Sequence, residues 1–301
     1  MNLTRQPLLS PKRSEALTAY LFILPTLFGF AVFILYPIVE SIRISFMDFN
    51  ILRGSEYIGL ENYIDIFKDK RVATVYGNTF VFTFFAVFFN AGVGLLLAVA
   101  LNRRLPNFIR NLYRSIFFFP LLVAHTYIAV IWQFLYHRDL GVLNYYLGIF
   151  GIAAIPWLSQ GNWAMVAIII MDVWKNTGFA MLVFLAGLQN IPTEYYESAQ
   201  LDGANGRQIF FRITLPLLSP TIFFILVIFM IGALQVFDTI QVLTRGGPGD
   251  STRSVVMYIY EKAFQRFDLG YAAAVSMTLF AIILVLTLIQ FRIGRRWVHY
   301  E

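Results

Sequence analysis

Six apolar stretches run along this chain, separated by segments that carry nearly all of its charged residues. Each stretch has 20 to 26 residues. An α-helix of that length, rising about 1.5 Å per residue, crosses the hydrocarbon layer of a membrane, which is about 30 Å thick. Because a helix also satisfies its own backbone hydrogen bonds, which lipid cannot do, the pattern predicts six transmembrane helices, at residues 16–39, 79–101, 115–136, 163–188, 217–236 and 270–291.

The composition favours an all-α integral membrane protein. Hydrophobic residues make up 58% of the 301, charged residues make up only 13%, and the mean hydropathy is +0.68. A soluble protein has about 25% charged residues. The chain has no cysteine and three scattered histidines, so the sequence predicts no disulfide and no metal site. It also shows no cluster of residues typical of a catalytic centre.

Basic residues are divided unequally between two sets of connecting segments. The set with both termini, residues 102–114 and residues 189–216 has twelve basic and five acidic residues, whereas the other set has ten basic and eleven acidic ones. Lysine and arginine accumulate in cytoplasmic loops. We therefore expect residues 1–15, the 189–216 loop and residues 293–301 to lie in the cytoplasm. The net charge of +6 then reflects orientation in the membrane and predicts no binding of nucleic acid.

The fourth apolar stretch is the only one that contains charged residues, Asp172 and Lys175. A lone charge in the middle of a membrane helix costs about 2.5 to 3.5 kcal/mol on insertion scales, so such residues normally face a bundle interior or a water-filled cavity. At a spacing of three residues they can also pair with each other. Two interpretations stay open: a self-neutralised pair that fixes helix packing, or part of a translocation path.

The 189–216 loop predicts a helix, a turn and a second helix at the cytoplasmic surface. Pro192 and Thr193 are typical of a helix start, and Glu194 lies favourably against the positive end of the helix dipole. Gly203 is a stop signal, which predicts a first helix from about 194 to 202. Asn205 is suited to capping a second helix. Without further information, the loop could be an amphipathic connector resting on lipid headgroups.

The amino-acid sequence of this loop resembles a known motif. Residues 196–199 read YESA, Gly203 follows after three more residues, and residues 213–216 read ITLP. This pattern is similar to the EAA loop of permease subunits of binding-protein-dependent ABC importers, with Ser198 in place of the central alanine. Further segments resemble the sugar-permease branch of that family, in particular the subunit type that pairs with a second, different permease. These segments are LYP at 35–37, GLENY at 59–63, LNRR at 101–104, PWL at 156–158, VWK at 173–175, LAGLQ at 185–189, TRGGP at 244–248 and FDLG at 267–270.

The resemblance implies a six-transmembrane-helix permease bundle in the bacterial cytoplasmic (inner) membrane, with a coupling helix docked on a cytoplasmic ATPase. Glu197 would make a charged contact to that ATPase, Ala199 would allow close docking, and Gly203 would permit the following turn. The full set of implied coupling residues is Glu194, Glu197, Ser198, Ala199, Asp202 and Gly203.

The same resemblance implies several partners. They are a second homologous permease, two ATP-binding subunits, an extracytoplasmic solute-binding protein and the lipid membrane. The chain has no G-x-x-x-x-G-K-[ST] phosphate loop. We therefore expect this chain to hold no cofactor and to catalyse no reaction, with ATP and Mg bound by the separate ATPase.

A path for a sugar or related small carbohydrate is implied along the fourth and fifth spans. Aromatic faces stack on sugar C–H groups, and amides and carboxylates bind hydroxyls. Small or apolar residues at 233 and 236 indicate few direct polar contacts from this subunit. The expected path residues are Asp172, Lys175, Asn176, Phe179, Phe229, Gly232, Ala233, Gln235, Val236 and Asp238.

Other functions predict other features. An ion-gradient-driven secondary transporter would have inverted repeats and a relay of intramembrane acids, whereas only Asp172 is clearly intramembrane here. A membrane enzyme would need a catalytic cluster. If the chain is an importer subunit, the positive charge of Lys175 is compatible with an anionic solute. The glycine-rich segment 244–250 is either a docking surface for the solute-binding protein or a simple turn.

Overall fold

Apolar helices dominate the architecture. The structure of this protein is a computed structural model that describes residues 11–52, 54–103 and 105–298. The chain is mostly helical, at 77%. Within these described ranges, four helices are long and apolar enough to cross a membrane, and the number rises to six if each of two bent helix pairs forms one span. Most of the predicted terminal segment 1–15, and the end of the segment 293–301, lie outside the described residues.

The N-terminal part is one long helical rod followed by a small cap. In an 18-residue window of the stretch Thr18–Ser45, no residue is buried, whereas the end of the rod packs against the last long helix of the chain. A two-stranded antiparallel hairpin then departs from the all-α prediction. The elements are α1 (Pro11–Phe30), a π-helical turn (Ala31–Leu35), α2 (Tyr36–Ser45), β1 (Met47–Asn50), β2 (Gly54–Tyr57) and α3 (Glu61–Lys68).

Two long helices, α4 (Lys70–Leu101) and α8 (Gly161–Gln189), form the centre of the bundle. Small residues let them approach closely, as is common between membrane helices. A Cβ added at Gly94 of α4 would lie only 2.5 Å from the Cβ of Ala180 on α8. The two helices cover the second and fourth predicted spans and extend beyond them.

The third predicted span is not a single straight helix. It consists of α5 (Asn107–Leu122) and α6 (His125–Leu135), which meet at an angle of 102°. Pro120 lies in the last turn of α5, which ends at Leu122, and Val123 then takes an extended backbone conformation with a ψ of 136°. The expectation of one uninterrupted helix over 115–136 was wrong in this respect.

The fifth predicted span, residues 217–236, coincides with α12 (Ser219–Leu234), and a bend lies directly before this helix. Asn205 and Gln208 form a capping box at the start of α10 (Gly206–Ile209), which confirms the predicted cap. The helical segment Gly206–Leu217 then meets α12 at 63°. The elements from the loop onward are α9 (Thr193–Leu201), α10 (Gly206–Ile209), a π-helical turn (Phe210–Thr214), α11 (Leu215–Leu217) and α12 (Ser219–Leu234).

The remaining elements close the bundle. Short α7 (Val142–Ile149) lies before α8, and its Asn144 accepts a hydrogen bond from Trp157 Nε1 at 3.0 Å. The last long helix packs against the hairpin at Gly270, where an added Cβ would lie 2.0 Å from the Met47 carbonyl oxygen. After α12 the chain forms α13 (Asp238–Leu243), α14 (Val255–Tyr260), a π-helical turn (Glu261–Gln265) and α15 (Leu269–Trp297).

The contact between α5 and α8 depends on Gly178. A Cβ at this position would lie 1.9 Å from the Phe117 carbonyl oxygen, which neither backbone can avoid without moving. We expect Gly178→Ala to lower the free energy of unfolding by about 1 to 3 kcal/mol through overpacking. The melting temperature of the detergent-solubilised protein measures this loss.

Gly92→Ala is the matched control, because Gly92 lies in α4 with no atom within 4 Å of the added Cβ. We expect it to be neutral or slightly stabilising, since alanine has the higher helix propensity. Equal losses for both variants would contradict a specific contact at Gly178.

Candidate functional site

A polar cavity of about 290 Å³ lies where α4, α8, α12 and α13 approach one another. Polar side chains are rare in the apolar helices around it, so their convergence here distinguishes the cavity from the apolar grooves elsewhere on the bundle. The polar residues in its wall are Asn90, His125, Asp172, Asn176, Gln235, Asp238 and Thr239.

Asp172 is held in this wall by two amides. Asn90 on α4 donates from Nδ2 to Asp172 Oδ2 at 2.9 Å, and Asn176, one turn along α8, donates to Oδ1 at 2.9 Å. Asn90 is 2% exposed, and its Nδ2 also donates to the Ala86 carbonyl at 2.9 Å. The carboxylate is therefore oriented by two helices. Asn90 was not among the path residues expected from the sequence, although a lone amide in an otherwise apolar span indicates a polar environment.

Lys175 is buried but does not line the cavity. Its side chain is 1% exposed, and Nζ donates to the carbonyl oxygens of Val123 at 2.7 Å, Pro120 at 3.3 Å and Leu121 at 3.4 Å. These carbonyls belong to the break between α5 and α6, where the regular backbone hydrogen bonds of an α-helix are interrupted. The sequence left two interpretations open for Lys175, an ion pair with Asp172 or a place in the translocation path. In the structure, Lys175 forms no ion pair with Asp172 and does not line the cavity.

The other expected path residues gather on α12 and just after it. Phe229, Gly232, Ala233 and Val236 line the cavity, together with Gln235 and Asp238. Phe179 lies behind this wall, with its ring centroid 6.1 Å from that of Phe229 in an edge-to-face arrangement. The cavity thus combines one aromatic face with oriented polar groups.

The loop between α8 and α12 has its own exposed site. Helix α9 begins one residue before the predicted start and ends at Leu201, and Gly203 follows with a φ of +78°, a conformation that favours glycine. The backbone N–H of Ala204 donates to the Ala199 carbonyl at 2.9 Å, which closes the helix end.

The faces of α9 differ in exposure. Glu194, Glu197, Ser198 and Asp202 are exposed. Leu201, at the end of the helix, is 89% exposed. Ala199 is 9% exposed and packs against its own chain, so it is not on the open face. The surface available to another protein is therefore acidic with an apolar tip.

A cluster of ion pairs joins the start of α4 to the segment after α13. Arg71 Nε donates to Asp250 Oδ2 at 2.6 Å, and Arg71 Nη1 donates to Glu261 Oε1 at 2.8 Å. Arg253 and Arg266 also donate to Glu261, each at 2.8 Å. The segment 244–250, predicted to be a turn or a docking surface, is anchored to the bundle by this cluster.

The cluster shifts the pKa values of its acids. The hydrogen bond from Arg71 holds the pKa of Asp250 below its usual range, although burial opposes the shift. Burial raises the pKa of Glu261, but the hydrogen bond from Arg71 and the charges of Arg71, Arg253 and Arg266 together hold it below its ordinary value. Both groups therefore favour the folded state when they are ionised.

Residues 90–299 match the family described as binding-protein-dependent transport system inner membrane component. The trehalose/maltose transport system permease protein MalF of Thermococcus litoralis is 37% identical over 288 residues, which cover 94% of this chain and 96% of that protein.

Solved structures are similar as well. A bacterial ABC transporter involved in the import of the acidic polysaccharide alginate matches with a TM-score of 0.85 and 26% identity, over 95% of this chain and 98% of that one. A bacterial alginate ABC transporter in complex with an alginate-pentasaccharide-bound periplasmic protein matches with a TM-score of 0.84 and 27% identity, over 95% and 96%. These relatives are ABC importer components, which speaks against an ion-gradient-driven secondary transporter.

The Arg71 cluster predicts a measurable loss of stability. Arg71→Met removes one of the two arginines that donate to both Asp250 and Glu261, and we expect the free energy of unfolding to fall by about 1 to 3 kcal/mol. Lys68→Met is the matched control, because Lys68 and its partner Asp65 are 71% and 64% exposed and their nitrogen and oxygen lie 3.4 Å apart. Melting temperatures in detergent compare the two variants.

The same comparison tests the charge on the acids. An acid with a lowered pKa stabilises the fold above the pKa of the unfolded chain, about 4, and this contribution disappears as the pH falls through the lowered value. The stability difference between Arg71→Met and the parent chain should therefore shrink from pH 7 to pH 3. A difference that stays constant over this range would show that lost packing, and not charge, explains the variant.

Proposed function

This chain belongs to the family of binding-protein-dependent transport system inner membrane components, and from that premise we propose that it carries a sugar or related small carbohydrate into the cytoplasm. As a member of this family it is a multi-pass inner-membrane permease subunit of an ABC importer. The main support for a carbohydrate as the solute is the cavity, which places an aromatic ring beside oriented carboxylate and amide groups. The relationship to a trehalose/maltose permease supports the same class of cargo.

We propose that the chain crosses the membrane six times, with each bent helix pair forming one span. The excess of basic residues in the segments that include both termini supports a cytoplasmic location for residues 1–15 and 293–301. In this orientation α9 lies on the cytoplasmic side. The hairpin and the Arg71 cluster lie on the outer side, where a solute-binding protein would deliver its cargo.

Helix α9 is proposed to be the coupling helix that docks on the ATPase. Its exposed acids Glu194, Glu197 and Asp202 would contact basic groups on that partner, and Leu201 would enter an apolar depression. Ser198 would contribute a hydroxyl to the same face. Gly203 would hold the turn that directs the chain into α10.

Movement of α9 would reach the cavity through packed elements. The Thr214 hydroxyl donates to the Tyr196 hydroxyl at 3.4 Å, and buried Ala199 anchors the other face of α9 to the same chain. Beyond the 63° bend, α12 carries Phe229, Gly232 and Ala233 of the cavity wall. A displacement imposed on α9 would therefore shift the cavity wall, which is how ATP-driven closure of the partner would change access to the solute.

ATP and Mg would be bound by the partner ATPase, and this chain would hold no cofactor. The complete importer would contain this chain, a second homologous permease, two ATP-binding subunits and an extracytoplasmic solute-binding protein. The match to an alginate ABC transporter in complex with its periplasmic protein supports such an assembly.

Glu197→Lys should weaken docking of the ATPase. Reversing an exposed charge at a complementary interface brings like charges together, and we expect the ATPase subunit that co-purifies with this chain to fall at least about tenfold. The control is Glu56→Lys, an exposed acid on β2 far from α9. Unchanged co-purification of Glu197→Lys, at equal expression and melting temperature, would contradict the proposed role.

Extraction from the host membrane in mild detergent tests the whole assembly. We expect mass spectrometry of the material bound to this chain to identify one homologous permease and one type of ATP-binding subunit. Recovery of the chain alone, or only with copies of itself, would overturn the proposal.

A further inference from the structure

We propose that the cavity selects uncharged carbohydrates and repels anionic ones, such as uronates and sugar phosphates. This inference rests on the proposed function, because it concerns the solute that this cavity would hold. It separates two cargo classes that the sequence leaves open, since Lys175 alone is compatible with an anion.

The formal charge of the cavity wall is negative. Asp172 and Asp238 both line it, and among the described residues of the wall there is no lysine or arginine. His125 also lines the cavity, but an ordinary imidazole is mostly uncharged above about pH 7. A second carboxylate or a phosphate entering this space would meet like charges.

The amide donors beside Asp172 are already engaged. Asn90 Nδ2 donates to Asp172 and to the Ala86 carbonyl, and Asn176 Nδ2 donates to Asp172. A solute carboxylate or phosphate that approached Asp172 would bring further acceptors to these occupied donors, whereas a sugar hydroxyl can donate to the carboxylate.

Lys175 offers no N–H donor to an anion in the cavity, because all three are engaged elsewhere. Its ammonium has three N–H donors, and the structure gives it three carbonyl partners at the break between α5 and α6. Turning Nζ toward the cavity would remove this donor from all three carbonyls in an apolar environment, and the Pro120 carbonyl would keep only the backbone N–H of Val123 at 3.4 Å. The one intramembrane lysine among the described residues therefore serves the fold.

The overall fold does not decide between the cargo classes. The alginate ABC transporter, whose structure matches this chain with a TM-score of 0.85, is involved in the import of an acidic polysaccharide. The same architecture therefore accommodates an anion. The difference must come from the side chains in the wall. Asp172, fixed by two helices, is the residue whose charge we expect to matter most.

The absence of cysteine from the chain allows a direct test. Ala233→Cys places one thiol in the cavity wall, and Leu140→Cys places one at a position that is 84% exposed and directly follows Arg138 and Asp139. The intact transporter complex in detergent at pH 7.5 is treated with three methanethiosulfonates, the cationic trimethylammonioethyl, the anionic sulfonatoethyl and the neutral methyl reagents. Mass spectrometry of the labelled peptide gives each rate.

The quantity compared is the labelling rate of the cationic reagent divided by that of the anionic reagent. We expect this ratio to be at least about tenfold higher at Ala233→Cys than at Leu140→Cys. Asp172→Asn should bring this ratio toward one while reaction with the neutral reagent is unchanged. Asp238→Asn is the second variant, so that the test stands if Asp172→Asn does not assemble. A ratio near one in the parent, or no change in either asparagine variant, would overturn the charge selection.

The outcomes separate this inference from the proposed function. If the neutral reagent reacts without any preference for charge, only the selection against anions fails. If none of the three reagents reaches the thiol, the cavity is no passage for a solute, and both proposals fail. Assembly with the ATPase is measured independently by co-purification.

Discussion

Three backbone carbonyls at the break between α5 and α6 set the main constraint on this structure. In a membrane, water is not available to satisfy them, and each unsatisfied group costs several kcal/mol. The Lys175 ammonium provides the three donors, with N–O distances of 2.7 to 3.4 Å. Because Lys175 lies on α8, these hydrogen bonds fix the position of α8 relative to the break between α5 and α6. The close approach at Gly178, one turn along α8, follows from the same relative position.

The polarity of the cavity depends on this arrangement. Asp172 lies one turn before Lys175 on α8, yet the lysine is committed to the break and the carboxylate takes amide partners instead. Asn90 and Asn176 orient Asp172 without cancelling its charge. A helix that appears neutral in the sequence, with one acid and one base three residues apart, therefore presents a negative group to the cavity and a positive group to the backbone of its neighbour.

Much of the fold could be predicted from local patterns. The apolar stretches coincide with helices or bent pairs, and the start of α9, the turn at Gly203 and the cap at Asn205 follow from residue preferences within a few positions. The 102° break was not predicted, since proline is also common in uninterrupted membrane helices.

The site was harder to predict because its partners are distant in sequence. Asn90 and Asp172 are 82 residues apart, and Arg71 and Glu261 are 190 apart. Such pairs depend on packing that no single segment encodes. Lys175 illustrates the difficulty: its position in a span indicated a polar environment, but whether that environment was a solute path or a neighbouring backbone depended on the break that the pattern did not reveal.

The long separation between the break and Lys175 also constrains the order of events during synthesis. The carbonyl of Pro120 precedes its partner Lys175 by 55 residues. When α5 and α6 leave the ribosome, the donor that completes their junction has not yet been made. The bent geometry can therefore become stable in lipid only after α8 has been inserted. Until then the third span must remain a continuous helix, or its junction must stay in contact with water or the insertion machinery.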